Sequence, residues 1–261
     1  MEYKFGTKEW AEHNHNILIG CSHACKYCYA RFNAVHRYKY VPSDNQFINQ
    51  VKLNQKALTK RPFKYGKGRI MFPTTHDILP EFINETVTYL KKWLQVGNEI
   101  LIVSKPHYEC IKRICDELTE YKDQIVFRFT IGSTSDKVLS FWEPHAPSYQ
   151  ERLKSLKYAF NKGFKTSVSM EPKLDKNTEK AVEEMLPYIT DTIWIGNMNY
   201  IDKRVDTSDW KKEDYLFKKM VVEAQTQEFT EHLYETYKDN PKIKWKESIK
   251  RMLNLPDEEI G

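Results

Sequence analysis

Residues 20–30 read "GCSHACKYCYA", and the reading of this stretch decides the fold. Three of the chain's five cysteines, Cys21, Cys25 and Cys28, sit in it. A disulfide among three thiols strands the third, so the spacing fits metal or redox chemistry better. A structural zinc ion takes four ligands. His13, His15 or His23 would supply the fourth, although His23 lies awkwardly between the first two cysteines. A [4Fe–4S] cluster takes one thiolate per iron, so three cysteines leave one iron open to an outside ligand. The spacing alone keeps both metals in play. Cys110 and Cys115 fall on a helical pattern, about 140° apart around the axis, and read as buried packing positions.

The cysteine loop directly follows the apolar run "NILIG" (16–20), which reads as a strand. Further strand-like runs are "GRIMFPT" (68–74), "EILIVSK" (99–105), "QIVFRFTIG" (124–132), "KTSVSME" (165–171) and "DTIWIGNM" (191–198). Helical patterns over 28–38, 45–59, 80–97, 107–121, 148–163 and 177–188 separate them, and Gly97 and Gly163 close two of these. Such alternation implies a parallel sheet with right-handed crossovers. Six units fall short of the eight that close a full barrel. The expected fold is α/β: a partial (β/α)6 TIM-like barrel with parallel strands plus a helical C-terminal extension. Ligands in such folds collect at the C-terminal ends of the strands.

The pattern changes after Tyr200. Residues 202–214 read as a polar linker, 213–238 as one long helix, and 240–256 as a turn, a short extended run and a last helix. The expected domains are a barrel over 1–200 and an extension over 201–261 that packs on it. Within the extension, Trp245 and Lys246 either anchor the tail or close over substrate.

Forty per cent of the 261 residues are hydrophobic, enough to bury a sizeable core. The opening "MEYKFGTKEW" lacks the charged-then-apolar pattern of a leader. No apolar run approaches the ~20 residues of a membrane span. The expectation is a cytoplasmic protein with no membrane contact. The net charge of +5 is unevenly spread. Residues 31–69 hold ten Lys or Arg against one acid, Asp44, with Tyr38, Tyr40, Phe63 and Tyr65 between them. Bases and aromatics together suit the phosphates and stacked rings of nucleic acid. The bland alternative is a solvated basic face.

The Cys-x3-Cys-x2-Cys spacing, with Tyr27 before the last cysteine, resembles the cluster loop of the radical S-adenosylmethionine (SAM) superfamily. "GCSHACKYCYAR" (20–31), "SK" (104–105), "RFTI" (128–131) and "EPHAPSYQERLKSL" (143–156) are similar to its spore photoproduct lyase-like branch. The resemblance runs from about 15 to 175. It implies a [4Fe–4S] cluster on Cys21, Cys25 and Cys28, whose free iron is chelated by SAM. One electron, from an external reductant of flavodoxin or ferredoxin type, then cleaves SAM to methionine and a 5′-deoxyadenosyl radical that abstracts hydrogen. The resemblance places Lys105 at the SAM carboxylate, Thr130 at the ribose and Tyr27 against the adenine. Thr75, His76 and Asp77 fall where the SAM amino group is bound, with Asp77 open to a second reading as a helix cap. Gly196 and Asn197 fall where backbone meets adenine. Glu143 and Arg152 read as an ion pair that orders a helix start. Tyr29 and Arg31 continue the loop toward cluster or substrate.

Two departures bear on the reaction. The lyase's Cys-Thr-Ser-Asp run, whose cysteine returns hydrogen to the product radical, aligns with Thr74-Thr75-His76-Asp77 here. A threonine O–H is too strong a bond for that role, so dimer repair does not carry over. The lyase's small residue before proline becomes Glu171, a carboxylate that either acts on a polar substrate as general acid or base or pairs with a nearby cation. The leading expectation is a radical SAM enzyme acting on a nucleic acid or nucleotide. The alternatives are a radical enzyme for a small metabolite or peptide, and a non-catalytic zinc or iron–sulfur module that binds nucleic acid.

Overall fold

A computed structural model describes residues 3–257. Its centre is a seven-stranded, all-parallel sheet. With β2 (Leu18–Ile19) and β3 (Lys52–Leu53) outside it, the sheet runs β1 (His13–Asn14), β4 (Ile70–Phe72), β5 (Ile100–Ser104), β6 (Ile125–Thr130), β7 (Lys165–Met170), β8 (Ile193–Ile195) and β9 (Ile243–Trp245). Adjacent strands follow chain order, and helices fill the crossovers, as in a partial TIM-like barrel.

Side chains alternate between the two faces. Ile70, Phe72, Ile100, Ile102, Ile125, Phe127, Phe129, Val168, Met170, Ile193 and Ile195 face outward and bury against the helices in the main core. Met71, Leu101, Val103, Val126 and Trp194 have the opposite parity and gather with Trp10 in a second cluster. Residues from β4, β5, β6 and β8 meet there only because the sheet curls. Trp10, just after the 3-10 turn Gly6–Glu9, therefore fills the concave side.

Three expectations change. The first sheet strand is His13–Asn14, upstream of "NILIG". Leu18–Ile19 (β2) instead pairs antiparallel with Lys52–Leu53 (β3). That pairing also splits the helix expected over 45–59 into Asp44–Asn49 and Gln55–Thr59. Asn54 caps the second piece by accepting from the Ala57 N–H at 3.3 Å. Likewise the long helix over 213–238 breaks into Asp214–Ala224 and Gln227–Tyr237, where Thr226 accepts from the Phe229 N–H at 3.3 Å. The extended run in the tail is a seventh strand of the sheet, and Trp245 is buried in the core. Among the described residues no helix is long and apolar enough to cross a membrane.

Candidate active site

The cysteine loop leaves β2 through Gly20, whose φ of +96° suits glycine and whose Cβ position lies 2.5 Å from the Phe47 carbonyl. Cys21 and Cys25 are buried and Cys28 is half-buried; no disulfide joins them. The segment after the helix Asp136–Trp142 pins the loop from above. The Lys26 N–H donates to the Trp142 carbonyl at 2.8 Å, and the His145 N–H donates to the His23 carbonyl at 3.2 Å. The Tyr27 hydroxyl donates to Glu143. Glu143 in turn meets Arg152 at 2.5 Å, both fully buried. Arg152 also donates to the carbonyls of Pro147 (2.8 Å) and Thr130 (3.2 Å). Burial pushes the Glu143 carboxyl up, but Arg152, Lys105 and the Tyr27 hydroxyl hold it below the usual range. The ion pair thus joins the cysteine loop, the end of β6 and the helix Tyr149–Asn161.

Asp77 organises the other side. It accepts from the Ser104 hydroxyl and, at 2.7 Å, from the Lys105 N–H. His23 Nδ1 lies 3.1 Å and Lys105 Nζ 4.0 Å from its second oxygen. Burial opposes its ionisation, yet His23 and Lys105 outweigh it and keep the carboxyl well below the usual range. Asp77 is committed to these partners, and capping is not among them. His76 is committed too. The Ile17 and Leu18 N–H groups donate to Nε2 at 3.1 and 3.2 Å, and Nδ1 faces the Asp77 carbonyl at 2.8 Å. Burial pushes its pKa down to about 4, so it stays neutral. Both ring nitrogens are thus occupied by backbone, which removes His76 as a free ligand-binding group. Thr75 sits at a turn that Asn16 holds: its side-chain oxygen accepts from the Thr74 and Thr75 N–H groups at 2.7 and 2.8 Å. Asn16 Nδ2 donates to the Thr74 hydroxyl at 2.7 Å. Asn16 escaped the sequence reading, because its partners lie nearly sixty residues away.

Strand parity brings four more candidates to the concave face at the strand ends. Lys105 follows Leu101 and Val103; Thr130 follows Val126 and Arg128; Glu171 extends the Ser167 and Ser169 side of β7; Gly196 follows Trp194. Burial alone would push the Lys105 ammonium down, but Cys25, Tyr27, Glu143 and Asp77 carry it well above its ordinary value. Its Nζ lies 5.7 Å from the centre of the Tyr27 ring. Glu171 meets Lys246 at 3.2 Å. Lys246 also pairs with buried Glu9, donates to the Gly6 carbonyl at 3.2 Å and lies 4.0 Å from the Trp10 ring centre. At Gly196 a Cβ would sit 2.8 Å from the Lys246 side chain and 3.1 Å from Glu171, so any larger residue forces these side chains to shift. Asn197 accepts from Lys173, a fully buried lysine. Tyr29, 37% exposed, reaches across to donate its hydroxyl to the Thr74 carbonyl.

A tetrahedral zinc ion holds its sulfurs about 3.8 Å apart, from Zn–S bonds near 2.3 Å. Among the described residues the trio with ligand atoms within 4.8 Å of one another is Cys21, His23 and Asp77, and the three cysteines form no such trio. A cubane instead spaces its thiolates across the width of the cluster. The histidines are also taken. His23 Nε2 meets His107 Nε2 at 2.9 Å; His15 lies between the Tyr65 and Tyr89 hydroxyls, both at 3.0 Å; His13 meets the Lys67 carbonyl at 2.9 Å. Burial, and then Asp77, pushes the Cys21 thiol up to about 12. Buried thiols of this kind become thiolates only against a cationic centre. Three thiols whose neighbouring histidines are engaged elsewhere are a donor set that could hold a [4Fe–4S] cluster with one open iron.

The basic stretch divides between two ends of the molecule. Residues 60–69 lie at the strand starts: Tyr65 stacks on His13 at 3.6 Å, and Asn98, just before β5, donates to the Phe63 carbonyl at 2.9 Å. Residues 31–44 stay beside the cysteine loop, where Arg31 donates to the Lys26 carbonyl at 3.1 Å and lies 3.8 Å from Asp44. The single basic surface expected over 31–69 is therefore two.

Comparison with known proteins agrees with this geometry. The description "Radical SAM superfamily" matches residues 16–189. Uncharacterized protein ORF301 of Acidianus two-tailed virus is 32% identical over 60% of this chain and 54% of its own. Uncharacterized protein MJ0683 of Methanocaldococcus jannaschii is 29% identical over 60% of this chain and 58% of its own. The matched region spans a little over half the length of these relatives. A cysteine-to-alanine mutant of spore photoproduct lyase superposes with a TM-score of 0.53 at 14% identity, covering 93% of this chain and 78% of that one. The same mutant with a dinucleoside spore photoproduct gives 0.52 at 14% identity over the same shares.

Proposed function

The chain belongs to the radical SAM superfamily, and from that premise we propose that it is a SAM-cleaving enzyme acting on a nucleic acid or nucleotide. The observation that carries this reading is the convergence of Lys105, Thr130, Glu171 and Gly196 on one face beside three spread thiols. When bound, the [4Fe–4S] cluster and SAM, given one electron by an external flavodoxin- or ferredoxin-type reductant, supply methionine and a 5′-deoxyadenosyl radical that takes a hydrogen atom from substrate.

Cys21, Cys25 and Cys28 hold the cluster. Lys105, cationic in its anion-rich setting, binds the SAM carboxylate, and the Thr75 turn lies on the side of the SAM amino group. Thr130 faces the ribose, Gly196 and Asn197 the adenine. Tyr27, held by Glu143, walls the pocket on the loop side. Glu171, paired with Lys246 at 3.2 Å, orients the substrate. The Thr74 hydroxyl, bound to Asn16, offers no weak bond for returning hydrogen to a product radical. The reaction therefore differs from that of spore photoproduct lyase. Residues 1–200 form the catalytic unit, and the segment from 201 completes its sheet.

Anaerobically reconstituted protein with dithionite should convert SAM to 5′-deoxyadenosine, and Cys25→Ala should abolish this. Protein that carries zinc and never cleaves SAM would sink the reading. Glu171→Gln should depress product formation more than SAM cleavage.

A further inference from the structure

Past β8 the chain turns at Tyr200, in the left-handed region at φ +58°, and enters the short helix Ile201–Arg204. Tyr200 is 64% exposed. The Arg204 guanidinium lies 5.1 Å from its ring centre and 6.0 Å from that of Tyr29. Lys203 Nζ lies 5.7 Å from the Tyr200 ring. Arg204 is half-buried, and among the described residues no carboxylate comes within 4.0 Å of its charge. Burial lowers its pKa, while Cys28 and Glu171 are near enough to act on it. The group thus sits beside the cluster loop, at the substrate end of the sheet, far along the chain from the basic stretch.

A guanidinium partly stripped of water and left without a counter-ion carries a desolvation cost that a bound anion offsets. Its planar fork suits phosphate. Two tyrosine rings beside it offer stacking surfaces that every nucleobase can use. Asp202, the acid in this helix, is already paired with Lys218 at 2.7 Å.

We propose that Arg204, with the ring faces of Tyr200 and Tyr29, is the edge of the substrate site that binds a phosphate-linked nucleobase, supplied by a single strand or a free nucleotide. This rests on the radical SAM reading only for what happens next; binding itself needs no turnover.

The test measures anisotropy of a labelled single-stranded oligonucleotide on the anaerobically reconstituted full chain across a salt series. R204Q should weaken binding about tenfold and lower the slope of log affinity against log salt by about one. R204K, which keeps the charge, should retain that slope. Y200A should weaken binding about tenfold with the slope unchanged. K165Q, at the strand-start end of β7, should bind as the parent does. Competition by a mononucleotide as strong as by unlabelled strand assigns the ligand to free nucleotide; competition by strand alone assigns it to nucleic acid. Parent-like binding by both R204Q and Y200A overturns the proposal, as does equal loss in K165Q. Absent 5′-deoxyadenosine with these binding losses intact would instead sink the enzymatic reading alone.

Discussion

Lys105 and Lys173 both follow strands, β5 and β7, at the same end of the sheet, yet their charges differ. Lys105 has Cys25, Tyr27, Glu143 and Asp77 around it and stays protonated far above neutrality. Lys173 has the Asn197 amide oxygen, and burial alone pushes its pKa down to about 7. Lys105 is half-buried and Lys173 fully buried, and Lys105 alone has anions acting on it. Anions of the cysteine-loop side thus surround Lys105, whereas burial alone acts on Lys173.

The contrast can be broken first at the network that secures Lys105. Arg152→Met leaves the buried Glu143 carboxylate without its main partner and should cost about 3–5 kcal/mol in urea unfolding. Parent-like stability would mean that the pair does not hold the loop. Next comes Lys173. Its folded pKa is near 7 against 10.5 unfolded, so the unfolded chain binds more protons between these values. Stability should rise from about pH 7 to 10.5, and the cost of burying the ammonium is fully felt below 7. Lys173→Met should then stabilise by a few kcal/mol at pH 6 and by little at pH 10. An equal effect at both would refute the assignment. Asn197→Asp sharpens the comparison by giving Lys173 an anion. It should raise that pKa by about 1–3 units and flatten the rise in stability above neutrality, read from unfolding curves across pH. Gly196→Ala, which crowds Lys246 and Glu171, should cost about 1–3 kcal/mol. Asn16→Ala is the smallest change. It should cost about 1 kcal/mol, seen as a modest drop in Tm.

The sequence made the strands legible because outward-facing Ile, Val and Phe repeat along them, and the cysteine loop legible because its spacing is set within eight residues. Lys105, Thr130 and Glu171 were visible as strand-end residues. What escaped notice depends on distance along the chain. Asn16 meets Thr74, His23 meets Asp77 and His107, and Glu9 meets Lys246 across 237 positions. No local pattern marks such pairs. The helices broken at 50–54 and 225–226 failed for another reason: Asn54 and Thr226 cap new helices, and β2–β3 pairing overrides a helical periodicity.

The Glu9–Lys246–Glu171 contact also sets an order of events. As the chain is synthesised, Glu9 and Glu171 exist long before Lys246. Until β9 arrives, two carboxylates share one side of the sheet without the cation that lies between them, and Trp10 lacks the ammonium above its ring. A nascent chain halted before residue 243 would hold an unfinished floor whose acids repel. The last strand is thus less an appendage than a closing step, one that makes completion of the chain a condition for a finished pocket.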